Sequence, residues 1–361
     1  MNQGTRTADG VTIGLDLGDR YSYYCVLDAE GEVLEEGRLA STPKAVEQYF
    51  SSREPARVSL EVGTHSPWIS RLVERCGHEV FVANASKLRL ISTSDSKSDQ
   101  ADAETLARIA RLDPVLLAPI HHRGVACQVD LARVRSRDML VRARTSLIQH
   151  VRGMVKALGG RIPHRSAQCF HKQAEETIPE ELLPAVRPVL EALATLTDRI
   201  KHLDKEIVQV GQERYPETAL LQQVGGVGPL TSLSFVLTVE DPHRFKSSRA
   251  VGSYFGLRPR QRDSGSLQPQ LRITKAGDSH VRRLLVNCAH YILGPFGPDT
   301  DLRRWGLALA ERGGKNAKKR AVVAVARKLA VLLHRLWITG EVYEPLRNSN
   351  RKEAMRPAKA C

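Results

Sequence analysis

The chain is sparing in aromatic residues, at 5% of its length, and short of acid relative to base. Its six cysteines, Cys25, Cys76, Cys127, Cys169, Cys288 and Cys361, are scattered, with no C-x-x-C pair and no metal-ligand spacing. This excludes a zinc ribbon or a disulfide-built scaffold and points to reduced thiols in a cytoplasmic protein. No apolar stretch reaches the roughly 18 residues a membrane helix needs. The opening Met1-Asn2-Gln3-Gly4-Thr5-Arg6 leads into no apolar signal core, so neither secretion nor a membrane span is expected. No long basic helix carries a Trp/Phe-rich opposite face, which argues against a membrane surface as partner.

What is present in excess is positive charge. Against 40 Asp and Glu stand 54 Lys and Arg, a net charge of +14, and 42% of the 361 residues are hydrophobic. That is enough apolar material for two or three ordinary cores, with a surface suited to a polyanion. The basic residues cluster. Arg123, Arg133, Arg135, Arg137, Arg142, Arg144, Arg152 and Lys156 share one helical stretch whose only acids are Asp130 and Asp138. A second cluster runs from Arg303 and Arg304 through Arg312, Lys315, Lys318, Lys319 and Arg320 to Arg327, Lys328 and Arg335. One such cluster is commonly a solvated helix face; two, with the net excess, favour nucleic acid.

Four acids stand out by context. Asp16 lies in Val11-Thr12-Ile13-Gly14-Leu15-Asp16-Leu17-Gly18, an apolar run that reads as a buried strand, and Glu61 sits in a second run, Arg57 to Gly63. Asp99 and Asp102 are three apart at the start of the helical pattern Ala103 to Leu112, a spacing that places both on one helix face. A carboxylate near a strand centre is costly unless paired or bound to a cation. Two strand carboxylates meeting two on a helix would make a hard, oxygen-rich site for Mg²⁺ or Mn²⁺. Phosphodiester cleavage uses such a site, with two ions roughly 3.5–4 Å apart on the attacking and leaving oxygens. Taken singly, each acid also fits an ordinary strand end or a dipole-favoured first helical turn.

Strands are predicted at Val11–Leu17, Tyr21–Leu27 and Val33–Leu39, with a hairpin turn at Asp28-Ala29-Glu30-Gly31. A helix at Pro43–Phe50, the Glu61 strand, a helix at Pro67–Cys76 and a strand at Glu79–Ala83 follow. This order describes an α/β domain of the ribonuclease-H type. Gly124 to Leu158 and Pro179 to Val210 read as helices around a loop from Gly159 to Ile178. Leu190, Leu193, Leu196, Ile200, Leu203, Ile207 and Val210 form a heptad-like seam that fits either a helical hairpin or a coiled coil between two chains. Beyond Pro216 the chain is mainly α. Val224-Gly225-Gly226-Val227-Gly228-Pro229 has the form of a helix-hairpin-helix turn, which offers backbone N–H groups to a DNA phosphate. Downstream, Arg260, Arg262, Arg272, Lys275, Arg282 and Arg283 surround Asp263-Ser264-Gly265-Ser266. Serine needs an activated, electropositive setting to act as nucleophile.

These stretches, in this order, resemble the DEDD transposases of the one-ten/eleven-eleven insertion-sequence family. The matching elements are Gly14-Leu15-Asp16, Leu60-Glu61, Lys97-x-Asp99-x-x-Asp102-Ala103, Gly225 to Pro229, Phe245 to Arg249, Gly256-Leu257-x-Pro259, Ser264-Gly265, and Lys275-x-Gly277 with Arg282-Arg283. The resemblance implies a RuvC-like catalytic domain over 1–122, a helical spacer over 123–215, a transposase domain over 216–345 and a disordered basic tail over 346–361. It implies that Asp16, Glu61, Asp99 and Asp102 hold two divalent ions, and that a serine attacks the DNA. Ser264 fits the Ser-Gly position, but family members often carry Ser-Ser-Gly, which leaves Ser266 as a rival. A structured guide RNA, double-stranded DNA of the element ends and target, and a dimer or tetramer of the chain are the implied partners, in a cytoplasmic, nucleoid-associated protein. Candidate nucleic-acid contacts are Arg133, Arg135, Arg137, Arg142, Arg144, Gly226, Gly228, Arg260, Arg262, Arg272, Lys275, Arg282 and Arg283. Three other classes compete: an actin-like ATPase, a RuvC-like junction nuclease that uses water, and a DNA-binding accessory protein. The helical, basic second half argues against the first, the arginine-rich serine region against the second, and the complete acidic quartet against the third.

Overall fold

The first apolar run folds as β1 (Thr12–Leu17), the central strand of a five-stranded mixed sheet in the order β3-β2-β1-β4-β5. This computed structural model describes residues 10–84, 98–262, 269 and 271–354, and the chain divides into two compact units, Met1–Arg123 and Gly124–Cys361. On one side of β1, β2 (Tyr21–Leu27) and β3 (Val33–Ala40) add antiparallel. On the other, β4 (Arg57–Glu61) and β5 (Glu79–Ala83) add parallel. The turn from β2 to β3 is closed by Asp28, whose carboxylate accepts from the amides of Gly31 and Glu32 at 2.7 and 2.8 Å. Gly31 sits at φ +94°, where a glycine avoids the Cβ strain of other residues.

Alternation along the strands decides what each face meets. Ile13, Leu15, Val58 and Leu60 point to one face and are buried by α1 (Pro43–Ser51) and α2 (Ser66–Arg75), which contribute Val46, Phe50, Ile69, Leu72 and Val73. Gly14, Asp16, Ser59 and Glu61 alternate to the opposite face. There α3 (Asp99–Leu112) lies, with Ala103 and Ala107 against Cys25 and Leu27 of β2. The outer strand β3 is largely exposed and carries Glu35, Glu36 and Arg38, charges that discourage edge-to-edge pairing.

The second unit begins with two long helices, α4 (Val125–Ala157) and α5 (Leu183–Arg214). They run antiparallel: Arg137 meets Asp204, whereas Asp130, earlier in α4, meets Arg214, later in α5. Val186, Leu190, Leu193, Ile200 and Ile207 are buried within the chain. Of the two arrangements the heptad spacing allows, the chain shows the intramolecular hairpin, with Leu196, Leu203 and Val210 of the seam only half-buried. At one end of the pair, Cys127, Val134 and Ile207 pack with Leu233 and Leu237 of α6 (Pro229–Val239). There the buried Asp130 carboxylate accepts from Arg214 at 2.8 Å, from the Tyr215 hydroxyl at 2.8 Å and from Arg133. At the other end Ile148, Val151, Val155, Phe170, Ile178, Val186 and Leu193 make a separate small core. Helices α6, α7 (Ser248–Tyr254), α8 (Ser279–Leu293), α9 (Asp301–Glu311) and α10 (Ala317–Thr339) pack around Phe235, Phe255, Leu285, Leu329 and Leu333. Arg347–Ala354 is helical too, where the expectation from the sequence is a disordered tail. Among the described residues no helix is long and apolar enough to cross a membrane.

Candidate active site

Parallel pairing of β1 with β4 sets Leu15 opposite Leu60, so Asp16 and Glu61, one residue further along each strand, stand at neighbouring carboxyl ends. In α/β sheets ligands collect at that edge. α3 brings the other two acids. Its helix starts four residues before the expected Ala103, because the Ser98 hydroxyl accepts from the Ala101 amide at 3.1 Å and caps it. Asp99 and Asp102 thereby fall in the first turn, where the helix dipole favours negative charge. Two further residues, whose packing roles were not read from the sequence, hold α3 in place. A Cβ on Gly14 would stand 2.0 Å from the Ala103 carbonyl oxygen and 2.6 Å from the Ala107 amide nitrogen, so α3 rests directly on bare backbone. Gln100, between the two aspartates, donates through Nε2 to the Tyr24 carbonyl at 2.9 Å. A glycine inside a strand pattern is the signal that could have revealed the first; a serine before an acidic first turn could have revealed the cap.

Asp16 feels the other three carboxylates. Burial raises the Asp16 carboxyl from 3.8 to about 6, and the charges of Asp99, Asp102 and Glu61 push it the same way. The amide of Leu17 donates to it and opposes them. Asp16, Glu61 and Asp102 are half-buried and Asp99 is exposed. They are neighbours rather than a closed ligand set: among the described residues no three His, Cys, Asp or Glu side chains already stand around one ion position. The donor set nonetheless fits a divalent cation, being all hard oxygen and destabilised by its own charge.

Two results are expected here. Gly14→Ala forces α3 back by more than an ångström and carries Asp99 and Asp102 away from Asp16. Misplacement of that order costs about 10²-fold in rate, so a cleavage assay should show the loss while circular dichroism shows the fold retained. Second, a carboxyl whose folded pKa is raised stabilises the fold below its ordinary value, and that stability is lost as pH rises through about 6. A divalent cation binds the ionised form, so MgCl₂ should raise the melting temperature more at about pH 8 than at about pH 5. Equal shifts at both would refute the metal assignment.

In the second unit Ser264 and Ser266 lie outside the described residues. The segments on either side of them pair. Pro259 bridges Ile273, the Arg260 amide donates to the Arg272 carbonyl at 2.9 Å, and the Thr274 amide to the Arg258 carbonyl at 2.9 Å. Arg260, Arg262, Arg272 and Lys275 on this stem are exposed. Arg282 is a brace, donating to the carbonyls of Phe255 and Ala276 at 3.1 and 2.7 Å. The expected turn is present between the short helix Glu217–Leu221 and α6. Gly226, at φ +90°, is seated against Tyr291, and the exposed Gly228 precedes α6.

The arginines of α4 do not form the free basic face expected of them. Arg137 pairs with Asp204 at 2.7 Å and Arg142 with Asp138 at 2.8 Å. Arg133 pairs with Asp130, Arg135 with Asp278, and Arg283 with Asp138. Arg144 is buried, with its guanidinium 3.5 Å from the Thr197 hydroxyl. Asp204 and Asp278 come from outside α4, out of reach of any local charge count, whereas Asp130 and Asp138 lie in α4 itself.

Residues 13–159 match the family described as "Transposase" of the DEDD IS110 type, and residues 218–300 match the "Transposase IS116/IS110/IS902 family". Over 351 residues the chain is 30% identical to the "Transposase for insertion sequence element IS1111A" of Coxiella burnetii, covering 92% of this chain and 90% of that one. It is 27% identical to the "Probable family 20 transposase" of Pseudomonas aeruginosa, over 92% of this chain and 98% of the other. A shorter match, 28% identical over 140 residues, covers 38% of this chain and 42% of the "Pilin gene-inverting protein" of Moraxella bovis.

Proposed function

Since the chain belongs to the IS116/IS110/IS902 family of insertion-sequence transposases, enzymes that process DNA, we propose that it cuts and rejoins strands with a carboxylate set in one unit and a serine in the other. The first unit is read as ribonuclease-H/RuvC-like. Divalent-metal dependence goes with the DEDD type. Here Asp16, Glu61, Asp99 and Asp102 would hold Mg²⁺ or Mn²⁺, two ions supplying charge stabilisation to the attacking and leaving oxygens. The observation that carries this reading is the placement of Asp16 and Glu61 at adjoining strand ends, on the sheet face covered by the helix whose first turn holds Asp99 and Asp102.

The serine step balances as a transesterification. Ser264 Oγ loses its proton to a base and attacks the phosphorus; the P–O bond to a bridging sugar oxygen breaks, and that oxygen takes up a proton to become the hydroxyl of the cut end. A hydroxyl of the recipient strand then attacks the serine ester, reforming a phosphodiester and restoring the serine. The bond energy is kept throughout, so no ATP is required. The pilin gene-inverting relative supports rejoining over hydrolysis, since inversion requires every cut end to be sealed. A structured RNA that pairs donor with target, and a dimer or tetramer of the chain, complete the proposal. The test is a denaturing gel of wild-type protein with end-labelled DNA and MgCl₂. A band of DNA covalently attached to protein is expected; free cut ends alone would favour the hydrolytic RuvC-like nuclease.

A further inference from the structure

The stem flanking Ser264 and one face of α10 enclose a groove of about 870 Å³. Six cationic side chains line it: Arg272 and Lys275 from the stem, Arg312 just before α10, and Lys319, Arg320 and Arg327 on that helix. No carboxylate and no aromatic ring is among its described lining residues; Leu257, Ile273 and Val323 supply apolar surface. Among the described residues none of Arg272, Lys275, Arg312, Lys319 and Arg327 is in an ion pair, in contrast to the arginines of α4. Beyond Arg327 a second cleft of about 390 Å³ continues the positive lining with Arg249 and Arg258.

Cations without internal partners, in a concave site of this size, select a polyanion. Base stacking needs aromatic faces, and none is among the described lining residues, so the contact is to phosphate rather than to bases. We propose that this groove grips the phosphodiester backbone of the DNA strand presented to Ser264. The choice of DNA rests on the serine-transposase reading, because the groove wall is the stem that leads into and out of the Ser264 segment.

The test uses the full chain and a short mixed-sequence duplex, with affinity measured across a salt titration. Each phosphate contact contributes about 0.9 to the slope of log affinity against log salt. Arg312→Gln with Lys319→Gln, both exposed positions, should therefore lower the slope by about 1.8. Relative to a 1 M reference, binding at about 0.1 M should weaken roughly 60-fold. The charge-keeping pair Arg312→Lys with Lys319→Arg should hold the wild-type slope. An unchanged slope in the neutralised variant, with its melting temperature intact, overturns the proposal. So does a slope loss seen only with RNA of the same sequence, which would assign the groove to RNA. A slope loss in a protein that never forms the covalent adduct supports the groove and overturns the serine reading instead.

Discussion

Asp16→Ala should lower strand cleavage by at least about 10³-fold and leave DNA affinity nearly unchanged. Asp16 is the acid on which the charges of Glu61, Asp99 and Asp102 converge. Removing one preorganised electrostatic element from a reaction that develops charge costs on the order of 10²–10³ in rate, and a ligand shared by the others stands at the upper end. Affinity survives because phosphate contacts come from Lys and Arg. The same substitution should stabilise the metal-free fold. The raised carboxyl withholds stability from the wild type above about pH 6, and this deficit fades as pH falls toward 3.8. Metal-free Asp16→Ala should thus melt higher than wild type at about pH 8, with the difference vanishing near pH 4. A variant that cleaves at the wild-type rate would remove Asp16 from the chemistry.

Ser264→Ala should abolish the covalent protein–DNA adduct outright. An alanine has no oxygen to form the ester. The carboxylate variants and the serine variant should differ in a telling way. With the acids intact, water can still attack slowly, so Ser264→Ala should leave a trace of free cut ends that Asp16→Ala lacks. If the adduct persists in Ser264→Ala and disappears in Ser266→Ala, the nucleophile lies two residues on. If neither change affects cleavage while the carboxylates remain essential, the enzyme is hydrolytic.

Much of the first unit was legible because its signals are local. β1 to β5 and the two helices between β3 and β5 appear where apolar runs and turn residues place them, with β1 one residue shorter than its run. The four acids were legible as residue types, but the seating of the helix that carries Asp99 and Asp102 depends on Gly14, and a backbone-to-backbone approach between residues 14 and 103 leaves no periodic trace. The arginine helix shows the opposite failure. Counted locally it is a basic patch, yet Arg135 is neutralised 143 residues away by Asp278, and Arg137 by Asp204, 67 residues away. Charge clusters report a surface only when the fold supplies no long-range partner. Arg312, Lys319 and Arg327, which are in no ion pair among the described residues, lie in the other cluster.

The α4–α5 pair is, mechanically, a lever. Its 33-residue first helix spans about 50 Å at 1.5 Å per residue. The root is pinned through the Asp130 junction and α6, while the tip carries its own small core. Pivoting such an arm by roughly 10° at the root sweeps its tip through roughly 9 Å, between two and three base steps of a duplex at about 3.4 Å each. Whatever the tip touches is therefore kept in step with the root, and a small slackening at Asp130 is magnified into a change of register at a distance.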